Sequence, residues 1–235
     1  MLQIAHRGDS HFHEDNSRQA FMSAIDKKFD MIELDIQLSQ DDIIFVYHDT
    51  MIHEKILETL TIQEIKALNP SIITLTEFFQ LDNMLDFKIY LDIKGNTTRI
   101  CPILDNFLEN MKNISREKIY LASFNLLIIH ELSKNTKTNN YQCGIILENL
   151  FTIPMFRQLL QEYPSLSFIC FHWTMLNQEM IDFLKKEYCL QIYTYTCKNA
   201  STLVNLLCEH KSLSAGQLRN FDPDRLGNKA LSCQI

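Results

Sequence analysis

Short apolar runs alternate with longer amphipathic segments along the chain, and this alternation constrains the fold more than any other sequence feature. The apolar runs predict strands at 2–6, 31–37, 43–48, 88–94, 118–123, 141–147, 167–172, 190–195 and, with a poorer pattern, 212–218. The amphipathic segments predict helices near 16–28, 61–68, 75–84, 99–112, 124–134, 151–162, 175–187 and 199–210. Alternating strands and helices are typical of parallel strands joined by right-handed crossovers. Seven or eight such units in 235 residues favour a closed α/β TIM (β/α)8 barrel over an open doubly wound sheet.

Nothing in the sequence divides the chain into parts. Of its 235 residues, 46% are apolar and 22% are charged, which is typical of a globular protein with a large core. No linker, repeat or low-complexity tract interrupts the pattern, and no G-x-G-x-x-G motif follows the first predicted strand, which disfavours a dinucleotide fold. We therefore expect one barrel domain over 1–235.

Charge and cysteine content restrict the partners and the location. The net charge of −7 argues against nucleic-acid binding, which requires a basic face. The seven cysteines are odd in number and form no C-x-x-C motif, so neither a disulfide framework nor a zinc knuckle is indicated. We expect no signal peptide, no integral membrane segment and a cytoplasmic location. The sequence leaves the oligomeric state open.

Carboxylates and histidines collect at the ends of the first predicted strands. The alternation in Ile32-Glu33-Leu34-Asp35-Ile36 puts Glu33 and Asp35 on one face, because successive strand side chains point to opposite faces. Two adjacent carboxylates inside a sheet are costly unless a cation or hydrogen bonds compensate them. A hard divalent cation is the compensation that we predict. His6 and His48 follow two further strands, and the ends of barrel strands are where active sites form.

Several short motifs follow one another in a definite order along the chain: Ile4-Ala5-His6-Arg7-Gly8, Asp15-Asn16-Ser17, Ala20-Phe21, Ile32-Glu33-Leu34-Asp35, Val46-Tyr47-His48-Asp49, Leu91-Asp92-Ile93-Lys94 and Leu121-Ala122-Ser123-Phe124. Their order and spacing resemble those of the glycerophosphodiester phosphodiesterase family. Each motif is weak alone, but the His-Arg-Gly, Glu-x-Asp and His-Asp elements in this order are together a strong signal. The resemblance covers about the first half of the chain. It implies a TIM barrel that hydrolyses a small-molecule glycerophosphodiester to glycerol 3-phosphate and an alcohol.

The resemblance also implies the site residues and the reaction. The residues are the acid–base pair His6 and His48, the metal ligands Glu33, Asp35 and Asp92, and the phosphate or substrate contacts Arg7, Lys94 and Tyr193. The family mechanism has the substrate's own 2-hydroxyl attack phosphorus, and water then opens the cyclic phosphate. An all-oxygen ligand set implies one divalent cation, Mg²⁺ or Ca²⁺, rather than zinc.

The chain departs from the family pattern at some positions. Most of the family has Glu where Asp92 stands, although the related sphingomyelinase D enzymes resemble this chain in having Asp there. The usual motif of the last strand is nearly absent from 213–223. Only 43 residues lie between His48 and Asp92, so we expect little or no inserted cap subdomain, with Thr50–Thr61 as an active-site loop.

Other functions remain open from the sequence. His11-Phe12-His13 is similar to the start of amidohydrolase-like barrels with several metals, but no D-x-H motif follows residue 100. A non-catalytic barrel that binds a phosphodiester is the third alternative, which the altered last strand favours. Within the leading prediction, lysophospholipids are alternative substrates. Three aromatic residues at strand ends, Phe124, Tyr193 and Trp173, would suit choline through cation–π contacts, although packing is the commoner role of such residues.

Overall fold

The structure is a computed structural model that describes residues 2–111, 113–149, 151–175, 177–197 and 231–234. Its strands are β1 (Leu2–Ala5), β2 (Met31–Leu38), β3 (Ile44–Val46), β4 (Met51–Ile52), β5 (Lys55–Ile56), β6 (Ile73–Thr74), β7 (Lys88–Ile93), β8 (Ile119–Ser123), β9 (Gln142–Leu147), β10 (Phe168–His172), β11 (Gln191–Cys197) and β12 (Leu231–Gln234). Its helices are α1 (Arg18–Asp26), α2 (Ile62–Leu68), α3 (Leu75–Phe79), α4 (Ile100–Asn110), α5 (Leu126–Asn139), α6 (Ile153–Glu162) and α7 (Gln178–Tyr188). None of the helices described is long and apolar enough to cross a membrane.

Eight strands close into a ring, and the predicted TIM-barrel fold class is confirmed. The order around the ring is β1-β2-β7-β8-β9-β10-β11-β12, with β12 pairing back onto β1. The pairings from β1 to β11 are parallel, as the alternation with helices predicts. β12 instead runs antiparallel to both β1 and β11. The predicted strand 212–218 and helix 199–210 lie outside the described residues.

The prediction of 43–48 as a further parallel barrel strand is wrong. β3 pairs antiparallel with β2, with Val46 opposite Ile36, and it lies outside the ring. The turn between the two strands is too short for a crossover helix, so the chain can only fold back on itself. The helix predicted over 75–84 is longer than the observed one. In the structure α3 ends at Phe79, and a separate 3-10 turn follows at Met84–Asp86.

We call the segment 39–87 the β2–β7 excursion, because it leaves the barrel after β2 and returns at β7. A small buried cluster of Phe45, Leu57, Ile65 and Ile72 holds it together, with Tyr47 packed against that cluster. Capping boxes at the starts of α2 and α3 fix both helices. Thr50–Thr61, predicted as a loop, contains the short β4–β5 hairpin.

The two faces of the barrel sheet have different roles. Outward-facing residues such as Ile32 and Leu34 pack in the main core between strands and helices. The barrel interior is filled by Tyr90, Tyr120, Phe168 and Tyr193, whose ring centroids lie 5.1 to 6.2 Å apart. This aromatic layer closes the barrel below the carboxyl ends of the strands, so the polar residues further along each strand face an open mouth.

Candidate active site

The turn after β1 places the first histidine at the barrel mouth. Arg7 and Gly8 have positive φ angles of 57° and 76°, which turn the chain sharply across the mouth. A Cβ atom on Gly8 would lie 2.7 Å from the carbonyl carbon of Ala20, so only glycine allows this close approach to α1. The turn brings His6 beside β2, with Nε2 4.0 Å from Oε2 of Glu33.

The three predicted metal ligands form one buried cluster. Asp35 and Asp92 are direct neighbours in the register of β2 and β7, and Glu33 lies one inward position earlier on β2. One oxygen from each carboxylate lies within 4.8 Å of the others. This is the single group able to hold a metal among the residues that the structure describes, and neither His11 nor His13 belongs to it.

Two cationic side chains contact this cluster. Lys94 Nζ lies 2.6 Å from Asp92 Oδ2 and 3.1 Å from Asp35 Oδ1. Arg7 Nε lies 3.0 Å from Asp35 Oδ2, and its backbone N–H donates to Glu33 at 2.7 Å. A second guanidinium nitrogen pairs with exposed Asp15 at 3.2 Å. These ion pairs hold both cationic side chains at the edge of the mouth.

Asn16, which the sequence analysis placed in a family motif without a role, holds Asp35 in place. The Asn16 side-chain amide donates to Asp35 Oδ2 at 2.7 Å, and its oxygen accepts from the Asp35 backbone N–H at 3.2 Å. Ser17, not Asn16, caps α1 by accepting from Ala20. Asn16 thus orients a proposed metal ligand.

The β2–β7 excursion delivers the second histidine. His48 follows β3 and returns to the mouth because β3 runs back along the end of β2. Its Nδ1 contacts Asp49 at 2.7 Å, so Nε2 is the ring nitrogen left for proton exchange. Gln37 on β2 donates to the carbonyl oxygens of Tyr47 and Asp49, at 2.8 and 2.9 Å. We call these two bonds the Gln37 clamp, since they hold the backbone on both sides of His48.

Burial and mutual repulsion shift the pKa values in the cluster. Burial, together with Asp35 and Asp92, raises the pKa of Glu33 well above its usual value. Burial also raises the pKa of Asp92 to about 7, against the opposing effect of Lys94. Burial acts in the same direction on Asp35, but Lys94 and Arg7 outweigh it and lower the pKa of that carboxyl. Burial and then Arg7 lower the pKa of His6 to about 3.

The residues present fit a hard divalent cation. Three buried carboxylates face only two basic side chains, and burial, with repulsion between the carboxylates, raises the pKa values of Glu33 and Asp92. Asp92 Oδ1 is buried and has no hydrogen-bond partner among the described residues. An all-oxygen donor set of this kind suits Mg²⁺ or Ca²⁺.

The predicted residues converge on one cavity of about 280 Å³ at the mouth. Seven of the eight line it, and Asp35 lies beside it, paired with Arg7 and Lys94. Tyr193 is fully buried in the floor, where its hydroxyl donates to Gln191. Sequence reasoning named Phe124 as a candidate choline contact but assigned no role to two further lining residues, Glu148 and Tyr195. Glu148 directly follows a predicted strand, and Tyr195 continues the face of Tyr193, so strand-end position was the available signal.

Fold and site together define a barrel hydrolase of the phosphodiesterase type, with histidines, cations and clustered carboxylates at the carboxyl ends of its strands. The chain belongs to the glycerophosphoryl diester phosphodiesterase family, whose family model matches residues 6–210. This confirms the family and the enzyme class predicted from the sequence.

Relatives with known names and structures agree with this assignment. A glycerophosphodiester phosphodiesterase of Caldanaerobacter subterraneus subsp. tengcongensis is 30% identical over 166 residues, which cover 62% of this chain and 68% of the relative. The crystal structure of a glycerophosphodiester phosphodiesterase from Thermotoga maritima matches with a TM-score of 0.70 at 21% identity, covering 89% of this chain and 92% of that one. An Oleispira antarctica phosphodiesterase, solved with the product sn-glycerol-3-phosphate, matches with a TM-score of 0.74 at 15% identity and 88% coverage of both chains. The two structural matches show the shared fold.

Proposed function

We propose that the chain hydrolyses a glycerophosphodiester to glycerol 3-phosphate and an alcohol in a reaction that depends on a divalent cation. The observation that carries the proposal is the convergence of two histidines, two basic side chains and three buried carboxylates on one cavity. A phosphodiester needs one group to accept a proton and another to donate one, while its negative oxygens need positive charge. The family and the names of the relatives support this substrate class.

In this proposal His6 and His48 form the acid–base pair. One histidine accepts the proton of the attacking 2-hydroxyl, and the other donates a proton to the departing alkoxide, which leaves a cyclic phosphate. The roles then reverse as water adds to phosphorus and the cyclic ester opens to glycerol 3-phosphate. Asp49 supports this exchange because its contact with Nδ1 fixes the orientation of the His48 ring.

Arg7 and Lys94 bind the non-bridging phosphate oxygens. Their contacts with Asp35 and Asp92 hold both side chains in place before substrate arrives, so little conformational entropy is lost on binding. Glu33, Asp35 and Asp92 would hold the cation, Mg²⁺ or Ca²⁺. A cation bound there supplies Lewis-acid polarisation and lowers the pKa of the attacking hydroxyl.

The direct test measures release of glycerol 3-phosphate from glycerophosphodiesters with Mg²⁺, Ca²⁺ or a chelator. We expect activity that needs the cation and falls by at least about 10³-fold in His6→Ala and in His48→Ala, as for loss of an acid–base group. His130→Ala, a substitution of an exposed histidine on α5, is the matched control and should keep full activity. A lysophospholipid should be included as an alternative substrate.

The outcomes separate the proposed function from its rivals. Turnover that survives in both His6→Ala and His48→Ala would refute the acid–base assignment. Binding of glycerophosphodiesters without turnover by the wild-type protein would instead favour a non-catalytic barrel. Loss of activity in His13→Ala would favour the amidohydrolase-like alternative.

A further inference from the structure

The segment Ser123-Phe124-Asn125 joins the end of β8 to α5, and the proposed reaction gives it no step. We call this segment the β8 turn. It lies beside the end of β7, because β7 and β8 are parallel neighbours in the ring and their carboxyl ends meet at the mouth. Lys94, one of the two proposed phosphate contacts, is the first residue after β7. The β8 turn therefore lies next to the segment that carries this lysine.

Two side chains of the β8 turn hold the backbone on both sides of Lys94. The hydroxyl of Ser123, which is fully buried, donates to the carbonyl oxygen of Ile93 at 2.6 Å. The side-chain amide of Asn125 donates to the carbonyl oxygen of Gly95 at 3.3 Å. The backbone N–H of Lys94 donates to a carbonyl oxygen of β2 at 2.9 Å. The chain is thus tied at three consecutive residues, with the lysine in the middle.

The third side chain of the β8 turn contacts the charged end of the lysine. The Phe124 ring centroid lies 5.0 Å from Lys94 Nζ, a distance at which a cation–π contact stabilises an ammonium group. Tyr195 packs against that ring, since the two rings are nearly perpendicular, at 84°, with centroids 5.9 Å apart. The Tyr195 hydroxyl in turn donates to the carbonyl oxygen of Leu147 at 3.0 Å. The ammonium group therefore contacts a braced ring as well as the carboxylates of the cluster.

A lysine that binds phosphate depends on such support. Its side chain has four rotatable bonds and a compact charge, so much rotamer entropy is lost when it is fixed on one phosphate oxygen. The ion pairs with Asp92 and Asp35, at 2.6 and 3.1 Å, hold the ammonium group at the cluster. They do not fix the backbone from which the side chain starts. Ser123 and Asn125 do so, through the two carbonyl oxygens that flank Lys94.

We infer that the β8 turn is a positioning element that holds the ammonium group of Lys94 ready for the phosphate before substrate binds. The inference rests on the proposed function and adds positioning residues to the same site. Ser123 and Asn125 act on the backbone of the lysine, and Phe124 acts on its charged end. Because all three act through Lys94, their loss should cost part of what the loss of Lys94 costs, and nothing once Lys94 is absent.

The first variants each remove one contact. Ser123→Ala removes the donor to Ile93 with little change in volume, and we expect it to lower kcat/KM about tenfold. Phe124→Leu removes the ring and should lower kcat/KM about threefold, whereas Phe124→Tyr keeps the ring and should recover most of that loss. Phe124 is partly exposed, so its variants test the inference even if Ser123→Ala fails to fold. Ser115→Ala, an exposed serine before β8 whose side chain makes no capping hydrogen bond, is the matched control.

A Lys94→Met background separates positioning from general damage to the mouth. There, neither Ser123→Ala nor Phe124→Leu should lower kcat/KM further, whereas a merely structural role would lower it again. Calorimetric binding of glycerol 3-phosphate, measured with Mg²⁺ in the same series, should weaken in the same order.

The outcomes keep this inference separate from the proposed function. If the wild-type protein turns over no glycerophosphodiester, the proposed function fails, and the binding series alone judges the inference. Wild-type values in both Ser123→Ala and Phe124→Leu, a loss that Phe124→Tyr shares in full, or equal losses with and without Lys94 would overturn the inference. A wild-type protein that neither turns over glycerophosphodiesters nor binds glycerol 3-phosphate would overturn both.

Discussion

The Gln37 clamp leads to a sharp prediction, because one side chain holds the backbone on both sides of a proposed catalytic histidine. Its two donors reach the carbonyl oxygens of Tyr47 and Asp49. Gln37→Leu keeps a buried side chain of similar size and removes both donors. Gln37→Glu keeps the shape of the side chain but places carboxylate oxygens, which accept hydrogen bonds, against the two backbone carbonyl oxygens. Neither change touches the groups proposed to bind phosphate.

The size of the effect follows from the two lost bonds. Each hydrogen bond contributes about 1 kcal/mol net, so Gln37→Leu should lower the free energy of unfolding by about 2 kcal/mol at most. The half-exposed segment around His48 can instead shift so that its carbonyls reach water. A shift of about 1 Å in a catalytic group costs about 10²-fold in rate. We therefore expect kcat to fall between about tenfold and 10²-fold, with KM nearly unchanged.

Steady-state kinetics and urea unfolding of the folded variants measure both effects. Gln63→Leu, on the exposed face of α2, is the matched control and should match wild type. In a His48→Ala background, Gln37→Leu should lower kcat no further, because the clamp acts through His48. A wild-type kcat in Gln37→Leu would refute this reasoning. So would a loss of kcat in the His48→Ala background as large as the loss that Gln37→Leu causes in the wild-type protein.

Three further predictions concern the cation, the barrel interior and the thiols. Saturating Mg²⁺ or Ca²⁺ should raise Tm by roughly 5–10 °C over the chelated protein, and Glu33→Gln should abolish that difference. Gly144→Ala should lower the free energy of unfolding by about 2–3 kcal/mol in urea melts, because the added Cβ would overlap the buried ring of Phe168; an unchanged melt would contradict this packing. Burial raises the pKa of Cys101 to about 12, so mass spectrometry after iodoacetamide treatment at pH 8 should find exposed Cys189 labelled and Cys101 protected, whereas equal labelling would contradict the burial.

Much of the site was predictable because strand geometry is local. Alternation along β2 puts Glu33 and Asp35 on one face whatever surrounds the strand. The same alternation would have pointed to Gln37 as a third inward residue, yet its partners come from β3. Glu148 likewise follows a strand that the sequence located, but only the ring order of the barrel places it opposite the histidines.

The sequence by itself determined the fold class, the barrel strands up to β11 and the residue types at their ends. These depend on hydrophobic periodicity and on short motifs, which act over a few neighbouring residues. Only the tertiary structure decided that β3 turns back to bring His48 to the mouth, and that Phe124, Glu148 and Tyr195 form one wall. The wall joins residues far apart in the chain, so it depends on strand order and closure of the ring, which no local pattern encodes. The return of β3 is a short hairpin, which hydrophobic periodicity alone does not distinguish from a further parallel strand.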